Sequence, residues 1–313
     1  MKGDGVLVCV TGTGFSGSTL LSFLLDSHPE IVSVGEATGP FIHWKDKATY
    51  PCTCGSPIGE CALWRRVGKE MARRSFRFDP DHWDVRFELG SGRWTRQILS
   101  RSLGHPDLDD VRDWFVLHAS PWGGRLRQLA ARNAAYVASI QAASGKRIMV
   151  DASKDPVRAR AFERLTQIDP LHIHLVRDSP GYASSHLKNI ARSQPEKATI
   201  DNAIQTWNRM AGHVERLYAI VPETRRIRVR YEDLCRDPAS TLRRITDFLG
   251  AEPFEGPVDF RASMHHIIGN DMRMGTSSEI RLDEAWRDRL TPVQVAEIER
   301  RTARGRRAFG YAA

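Results

Sequence analysis

The chain has 313 residues, of which 27% are charged and 41% hydrophobic, so it can bury a large core and has the composition of a globular protein. Its net charge of +8 favours an anionic ligand, but the sequence has no motif of the usual DNA- or RNA-binding modules, and nucleic acid is not an expected partner. No apolar stretch is long enough to cross a membrane, and the first predicted strand leaves no room for a signal peptide, so we expect a cytoplasmic protein.

The first predicted strand and helix flank a loop of small residues. Residues Val6–Val10 form a continuous apolar run rich in β-branched side chains, as in a parallel strand that is buried on both faces. The loop Thr11–Thr19 follows, and leucines at helical spacing then predict an amphipathic helix. Free amides and the positive end of the helix dipole converge in such a loop, which predicts an anion-binding site.

This loop nearly matches the P-loop of nucleoside triphosphatases, with four residues between Gly12 and Gly17. Ser18 stands where the P-loop has the lysine that reaches the β- and γ-phosphates. The pattern therefore predicts phosphate binding and argues against triphosphate hydrolysis. A glycine-rich turn that binds nothing is the alternative.

A second short strand is predicted at Ile31–Val34, and Glu36 follows its end. Ligands of open α/β sheets bind at the carboxyl ends of the strands, so Glu36 is a candidate site residue. The alternative is a loop residue that faces solvent.

Residues 40–145 have dispersed tryptophans and short helical patterns without the alternation of a strand. We interpret them as a mostly helical insertion into a single domain of residues 1–313, and as an acceptor-binding lid.

Three cysteines, Cys52, Cys54 and Cys61, lie close together in this insertion. They could hold a structural zinc with a fourth ligand such as His43, form a disulfide, or remain buried thiols. Because the spacing of Cys52 and Cys54 is tighter than that of the usual zinc pairs, we assign no metal-binding residue. The pair His265-His266 has no metal-like partner spacing and is interpreted as part of a loop.

Two further buried strands are predicted at Arg147–Val150 and His172–Val176. Lys154 follows the first and is either near the ligand-binding edge or a surface lysine. Arg177 follows the second, and with Ser184 and Ser185 on the next helix it could bind a second phosphate. The alternative is a surface pair of Arg177 and its neighbour Asp178.

The remaining elements continue the alternation of strands and helices. We predict a helix at Ile200–Ala219, a strand at Arg226–Tyr231, a helix at Pro238–Leu249 and a final helix from Thr291. The fold class is therefore α/β, a three-layer sandwich with a mainly parallel sheet, a P-loop-like loop and the helical insertion.

Several motifs, in this order, resemble those of the sulfotransferases that use 3′-phosphoadenosine 5′-phosphosulfate (PAPS). The loop Gly12–Thr19 resembles the loop that binds the 5′-phosphosulfate. The segment Leu175–Ser185, with its arginine and serine eight positions apart, resembles the motif that binds the 3′-phosphate. The segment Arg230–Gly250 resembles the strand and helix whose tyrosine contacts the adenine.

Weaker similarities link the chain to particular branches of that family. Ser153–Pro156 resembles the Lys-Asp-Pro segment of the tyrosylprotein branch, and His28–Glu36 resembles the stretch that carries the glutamate base of that branch. The cysteine segment and the stretch Gly269–Arg273 resemble features of bacterial-type members.

The resemblance implies direct in-line transfer of a sulfuryl group from PAPS to a hydroxyl or amine, without a metal. Glu36 would be the catalytic base, with His43 as a rival, and Lys154 would stabilise the leaving group. The implied acceptor is a small molecule or a glycan. The implied cofactor-binding residues are Gly14, Phe15, Ser16, Gly17, Ser18, Thr19, Arg177, Ser185, Tyr231 and Arg273.

The chain departs from the family pattern at Phe15, where the family usually has Lys or Arg. The missing cation implies either a weakened enzyme that relies on Lys154 or a non-catalytic relative that binds PAPS or its product. A nucleotide kinase with an altered P-loop is the further alternative.

Overall fold

The computed structural model describes residues 5–39, 44–90, 92, 94–95, 98–99, 106–256, 259–269, 271–275 and 277–312. His43 and Asn270, which the sequence interpretation mentions, lie outside these ranges.

Five strands form one sheet with the order β2-β3-β1-β4-β5. Their bounds are β1 Val6–Gly12, β2 Ile31–Ser33, β3 Ile148–Asp151, β4 Leu171–Val176 and β5 Arg226–Arg230. The pairs β1–β3 and β2–β3 are parallel, with Val6 and Ile31 both opposite Ile148. The predicted α/β fold with a mainly parallel sheet is confirmed.

Eleven α-helices lie in the described part of the chain. They are α1 Ser18–Asp26, α2 Ala62–Arg73, α3 Pro106–Ala119, α4 Gly123–Ser144, α5 Pro156–Leu165, α6 Ser179–Ser193, α7 Ile200–Ile220, α8 Tyr231–Arg236, α9 Pro238–Leu249, α10 Trp286–Arg289 and α11 Pro292–Ala308. In the described residues, none of these helices has the length and apolar character needed to cross a membrane.

One predicted boundary is wrong. Tyr231 was expected to end the last strand, but β5 ends at Arg230 and Tyr231 is the first residue of α8. Glu232 and Asp233 in the first turn of α8 favour a helix start, because carboxylates interact well with the positive end of the helix dipole.

The chain divides into two units. Unit 1 comprises Met1–Val10, Thr19–His172 and Phe254–Ser278, and unit 2 comprises Thr11–Ser18, Ile173–Pro253 and Glu279–Ala313. The helices of the predicted insertion, α2 to α4, belong to unit 1. The single domain and the lid role of the insertion stay predictions.

Each unit has its own apolar cluster. In unit 1, residues of the insertion pack with α5 around Phe87, Leu126 and Ala161. In unit 2, Tyr182 on α6, Trp207 on α7 and Phe309 after α11 form a cluster against which Phe15 packs. Burial of such side chains supplies most of the stability that holds the polar site residues in place.

Candidate active site

The loop Thr11–Ser18, in unit 2, has the backbone of an anion-binding loop. A Cβ at Gly12 would lie 2.2 Å from the carbonyl oxygen of Leu175, and a Cβ at Gly17 would lie 2.4 Å from the ring of Tyr231. Gly17 also has a φ of +87°, which favours glycine. Side chains at either position would displace the loop. The loop leads into the N-terminus of α1, and helix N-termini commonly bind anions.

Two hydroxyl groups of this loop fit an anionic ligand. The Oγ1 of Thr13 and the Oγ of Ser16 are buried and have no hydrogen-bond partner among the described residues. Buried hydroxyls are nearly always paired in folded proteins, so unpaired ones in a glycine-rich loop mark donors that a phosphate oxygen can satisfy.

Phe15 takes the left-handed conformation, with a φ of +56°, and its ring turns into the apolar cluster of unit 2. The ring centroid lies 6.0 Å from that of Tyr182 and 6.3 Å from that of His186. The carbonyl oxygen of Phe15 accepts a hydrogen bond of 3.0 Å from Arg177. The side chain therefore packs as a hydrophobic residue, and its main chain links the loop to Arg177.

Arg177 follows β4 and is buried, and its guanidinium lies over the ring of Tyr231 with 4.7 Å to the centroid. It also donates a hydrogen bond of 3.3 Å to the hydroxyl of Ser185, so the structure brings this predicted pair together. The alternative pair with Asp178 is absent here, because Asp178 forms an ion pair with Arg306.

Asp283 is a partner of Arg177 that the sequence analysis missed. Its Oδ2 accepts a hydrogen bond of 2.9 Å from Arg177, and its carbonyl oxygen accepts another of 3.1 Å. Partial burial raises the pKa of Asp283, but the hydrogen bond and charge of Arg177 outweigh this and lower it overall. The carboxylate holds the guanidinium in the way that a phosphate oxygen would. No pattern in the irregular segment before α10 signals this contact.

Tyr231 is mostly buried between the loop and Arg177. Its hydroxyl accepts a hydrogen bond of 3.2 Å from the amide of Asp283. Burial raises the pKa of Tyr231. Tyr231 is therefore neutral and packs against the guanidinium of Arg177. Its contact with adenine stays a prediction.

Glu36 and Lys154, in unit 1, form an ion pair with 3.0 Å between Oε1 and Nζ. Glu36 follows β2 and Lys154 follows β3, and these strands pair in parallel, so the two side chains meet beyond the same strand ends. The amide of Glu36 donates a hydrogen bond of 2.8 Å to the carbonyl of Ile268. The geometry thus fixes a carboxylate and an ammonium side by side.

The backbone of Lys154 has a φ of +57°, which is unusual for a residue with a side chain. Its neighbours hold it there: Asp155 caps α5 by accepting hydrogen bonds from the amides of Val157 and Arg158. Such a conformation costs about 1–3 kcal/mol and persists only where the surrounding structure imposes it, as is common at functional sites.

Arg273 was predicted to bind the cofactor, and the structure places it in unit 1. It is buried, donates hydrogen bonds to the carbonyls of Pro51 and Gly269, and lies 4.6 Å from the ring centroid of Tyr50. It also contacts the sulfur of Met274 at 2.9 Å, and its cofactor role stays a prediction.

A cavity of about 500 Å³ lies in unit 1, and Thr38 and Gly39, two and three residues after Glu36, form part of its wall. Its wall carries both charges and aromatic side chains. The described lining residues include Lys47, Phe76, Asp81, Trp83, Arg86, Glu88 and Arg125. The indole of Trp83 donates a hydrogen bond of 2.8 Å to the carbonyl of Ala37, so the segment that carries Glu36 forms part of the wall.

The structure also groups the three cysteines with a histidine that the sequence analysis dismissed. The ligand atoms of Cys52, Cys54, Cys61 and His266 all lie within 4.8 Å of one another, and the cysteines are free thiols. His266 does lie in a loop, as predicted, but its position beside the cysteines was not predicted. Some 200 residues of sequence separate it from the cysteines, so no local spacing could have signalled it.

The fold and the loop define an α/β protein with a P-loop-like loop, and the comparisons define its family. The model of the Sulfotransferase family matches residues 94–256, just over half of the chain. The chain belongs to the sulfotransferase family. The matched range includes Lys154, Arg177, Ser185 and Tyr231.

Two solved structures share the fold. The chain is similar to the sulfotransferase domain from the Synechococcus PCC 7002 olefin synthase, with a TM-score of 0.52, 19% identity, and coverage of 99% of this chain and 95% of that chain. It is also similar to the sulfotransferase domain from the curacin biosynthetic pathway, with a TM-score of 0.51, 16% identity, and 98% coverage of both chains. The comparison with curated proteins found no match.

Proposed function

We propose that this protein transfers a sulfuryl group from PAPS to a hydroxyl of a small-molecule or glycan acceptor. The observation that carries the proposal is the link between two anion sites in unit 2. Arg177 donates to the carbonyl of Phe15 within the phosphate-type loop, at 3.0 Å. A donor with a 5′-phosphosulfate and a 3′-phosphate on one ribose needs two neighbouring sites of this kind.

In this proposal the loop and Arg177 bind different parts of the donor. The amides of residues 14–19 and the hydroxyls of Ser18 and Thr19 bind the phosphosulfate. Arg177 and Ser185 bind the 3′-phosphate, and the ring of Tyr231 lies against the adenine. The unpaired hydroxyls of Thr13 and Ser16 support this assignment, as does the carboxylate of Asp283 at the guanidinium.

Glu36 and Lys154 supply the acid–base chemistry. The oxygen of the acceptor hydroxyl forms a bond to sulfur, and Glu36 accepts the proton of that hydroxyl. At the same time the bond between sulfur and the phosphate oxygen of the donor breaks. Lys154 stabilises the negative charge on the leaving phosphate oxygen. Their contact of 3.0 Å supports these roles, because it places a proton acceptor and a positively charged group side by side.

The acceptor enters the cavity whose wall includes Thr38 and Gly39. Its mixed wall of carboxylates, guanidinium groups and aromatic rings suits a hydroxyl-rich molecule, which can exchange hydrogen bonds and stack at the same time. The proximity of Thr38 and Gly39 to Glu36 along the chain supports this entry.

Transfer of radiolabelled sulfur from PAPS to a panel of hydroxylated acceptors, without added magnesium, tests the proposal. We expect Glu36→Gln and Lys154→Ala each to lower turnover by about two to four orders of magnitude while binding of the desulfated donor survives. The exposed Glu60→Gln and Lys69→Ala serve as matched controls and should keep full activity. Full activity of Glu36→Gln would remove Glu36 from the mechanism.

A non-catalytic donor-binding protein is the second candidate function, and the packing of Phe15 in the apolar cluster of unit 2 favours it. It predicts binding of the desulfated donor without transfer to any acceptor. In that case Phe15→Arg, which returns the usual cation to the loop, should produce transfer. Transfer by the unmodified chain would exclude this candidate.

A further inference from the structure

We propose that Cys52, Cys54, Cys61 and His266 bind one structural zinc ion. Three sulfur atoms and one imidazole nitrogen converge within unit 1, with all four ligand atoms within 4.8 Å of one another. The described residues contain one group of side chains with the geometry to hold a metal ion, and it consists of these three cysteines and this histidine. A Cys₃His set is one of the common ligand sets of structural zinc.

The distances within the group agree with a tetrahedral ion. Bonds of about 2.3 Å to sulfur and about 2.0 Å to nitrogen place neighbouring ligand atoms about 3.5–3.8 Å apart in a tetrahedron. The Sγ atoms of Cys54 and Cys61 are 3.7 Å apart, and His266 Nδ1 lies 3.8 Å from Cys52 Sγ. The Nδ1–Sγ distance to Cys61 is 3.1 Å, and the remaining pairs lie within 4.8 Å, so side-chain movements of about 1 Å complete the tetrahedron.

A disulfide fits the same atoms poorly. A disulfide needs about 2.05 Å between sulfurs, and the separation of Cys54 and Cys61 is 3.7 Å. A disulfide between two of the cysteines would also not explain why the third thiol and His266 lie beside them. Cys52 and Cys61 have no exposed surface, which excludes a role as an accessible nucleophile.

The local backbone already presents the thiols as ligands. Gly55, with a φ of +90°, closes a tight turn in which its amide donates to the carbonyl of Cys52. Cys61 is the N-cap of α2, and its side chain makes no capping hydrogen bond to the helix, so the sulfur is left for other contacts.

The zinc would join two segments that are distant in sequence. His266 lies next to Ile267, whose amide donates a hydrogen bond of 2.8 Å to the hydroxyl of Thr53. The following residue, Ile268, donates to the carbonyl of Val34 and accepts from the amide of Glu36, at 2.8 Å each. The ion would therefore fix the strand-like segment that holds the main chain around Glu36. This inference does not depend on the transfer chemistry.

Metal analysis of the full chain, purified from zinc-supplemented cells without chelators, tests the site. We expect about one zinc ion per chain, and loss of it in Cys54→Ser, which replaces the most accessible thiol. Cys9→Ala, which removes a buried thiol outside the group, is the matched control and should keep the zinc. Zinc in substoichiometric amounts, or full zinc in Cys54→Ser, would overturn the proposal.

Two measurements on the unmodified chain cover the case in which the variant fails to fold. Replacement of zinc by cobalt should give the visible absorption of tetrahedral cobalt with thiolate charge-transfer bands, and octahedral or thiolate-free spectra would contradict the site. Removal of the metal should speed amide hydrogen exchange at Ile267 and Ile268 by about tenfold or more. Unchanged exchange would show that the segment does not depend on a metal ion.

Discussion

At the scale of single residues, Arg177 is the point at which the candidate donor site is assembled. It touches the loop through the carbonyl of Phe15, a helix through Ser185, and an irregular segment through Asp283. Gly181 permits this position, because a Cβ there would lie 2.9 Å from the Nε of Arg177. A buried guanidinium held from three sides is preorganised for a phosphate.

Asp283 competes with that phosphate, so Asp283→Asn should strengthen the binding of adenosine 3′,5′-bisphosphate. We expect a dissociation constant about two- to fivefold lower, since a partly exposed ion pair of this kind contributes up to about 1 kcal/mol. Calorimetry on the variant and on Asp288→Asn, an exposed carboxylate nearby, measures the difference. Weaker binding by Asp283→Asn would mean that Asp283 supports the ligand instead of replacing it.

Much of this site could be predicted from residues alone. The arginine and serine eight positions apart, the glycine-rich loop and the glutamate after a strand are local patterns, and the structure brings Arg177 to Ser185 and Lys154 to Glu36. Asp283 and His266 could not be predicted, because each meets its partners across more than 100 residues from a segment without periodicity.

At the scale of elements, α11 braces the start of α6 and therefore the position of Arg177. Arg306 on α11 donates to both carboxylate oxygens of Asp178, at 2.8 and 3.1 Å. Asp178 caps α6 by accepting from the amide of Ser179, whose hydroxyl in turn bonds to Thr302 of α11. The cap and the salt bridge together fix the residue that follows β4.

We expect Arg306→Leu to lower the free energy of unfolding by about 1–3 kcal/mol, because it leaves a partly buried carboxylate without its partner. The affinity for adenosine 3′,5′-bisphosphate should fall as well, since Arg177 adjoins Asp178. Urea unfolding and calorimetry measure both effects, with the exposed Arg307→Leu as the control. If Arg306→Leu and Arg307→Leu have the same free energy of unfolding and the same nucleotide affinity, α11 does not support the site.

Element ends with capping residues followed from the sequence, whereas one start was missed. Thr291 and Gly250 mark the start of α11 and the end of α9, as capping rules predict. The start of α8 at Tyr231 was missed, because the alternation of β5 continues through that residue and the acidic first turn competes with it.

At the scale of the whole molecule, burial of ionisable groups makes stability depend on pH. His174 lies in β4, and its buried ring accepts a hydrogen bond of 3.2 Å from Arg228, with Glu215 3.9 Å away. Desolvation and the charge of Arg228 lower the pKa of His174 to about 3. The ordinary value is about 6.5, so between these pH values the unfolded chain binds a proton that the folded chain does not.

The contribution of His174 to stability is therefore fully present above about pH 6.5 and declines as the pH falls. Between pH 7 and pH 5 it should lower the free energy of unfolding by about 2 kcal/mol. His174→Gln should lose this part of the pH dependence, whereas His118→Gln, at an exposed position, should keep it. Chemical denaturation at pH 7 and at pH 5 measures the free energy of unfolding of each variant. If His174→Gln keeps the full difference between the two pH values, the assignment to His174 is contradicted.

The fold class belongs to this scale too, and the sequence predicts it well, because buried strands and intervening helices leave a strong apolar pattern. The acceptor does not follow from that pattern. Its cavity is formed by charged and aromatic residues from several helices and turns of the insertion, and its shape depends on their packing in three dimensions.

The central claim is that the loop and Arg177 bind the two phosphates of one nucleotide, and calorimetry tests it most directly. The unmodified chain should bind adenosine 3′,5′-bisphosphate at least about tenfold more tightly than adenosine 5′-monophosphate, and Arg177→Ala should abolish that preference. Equal affinity of the unmodified chain for the two nucleotides, or a preference that survives in Arg177→Ala, would contradict the account.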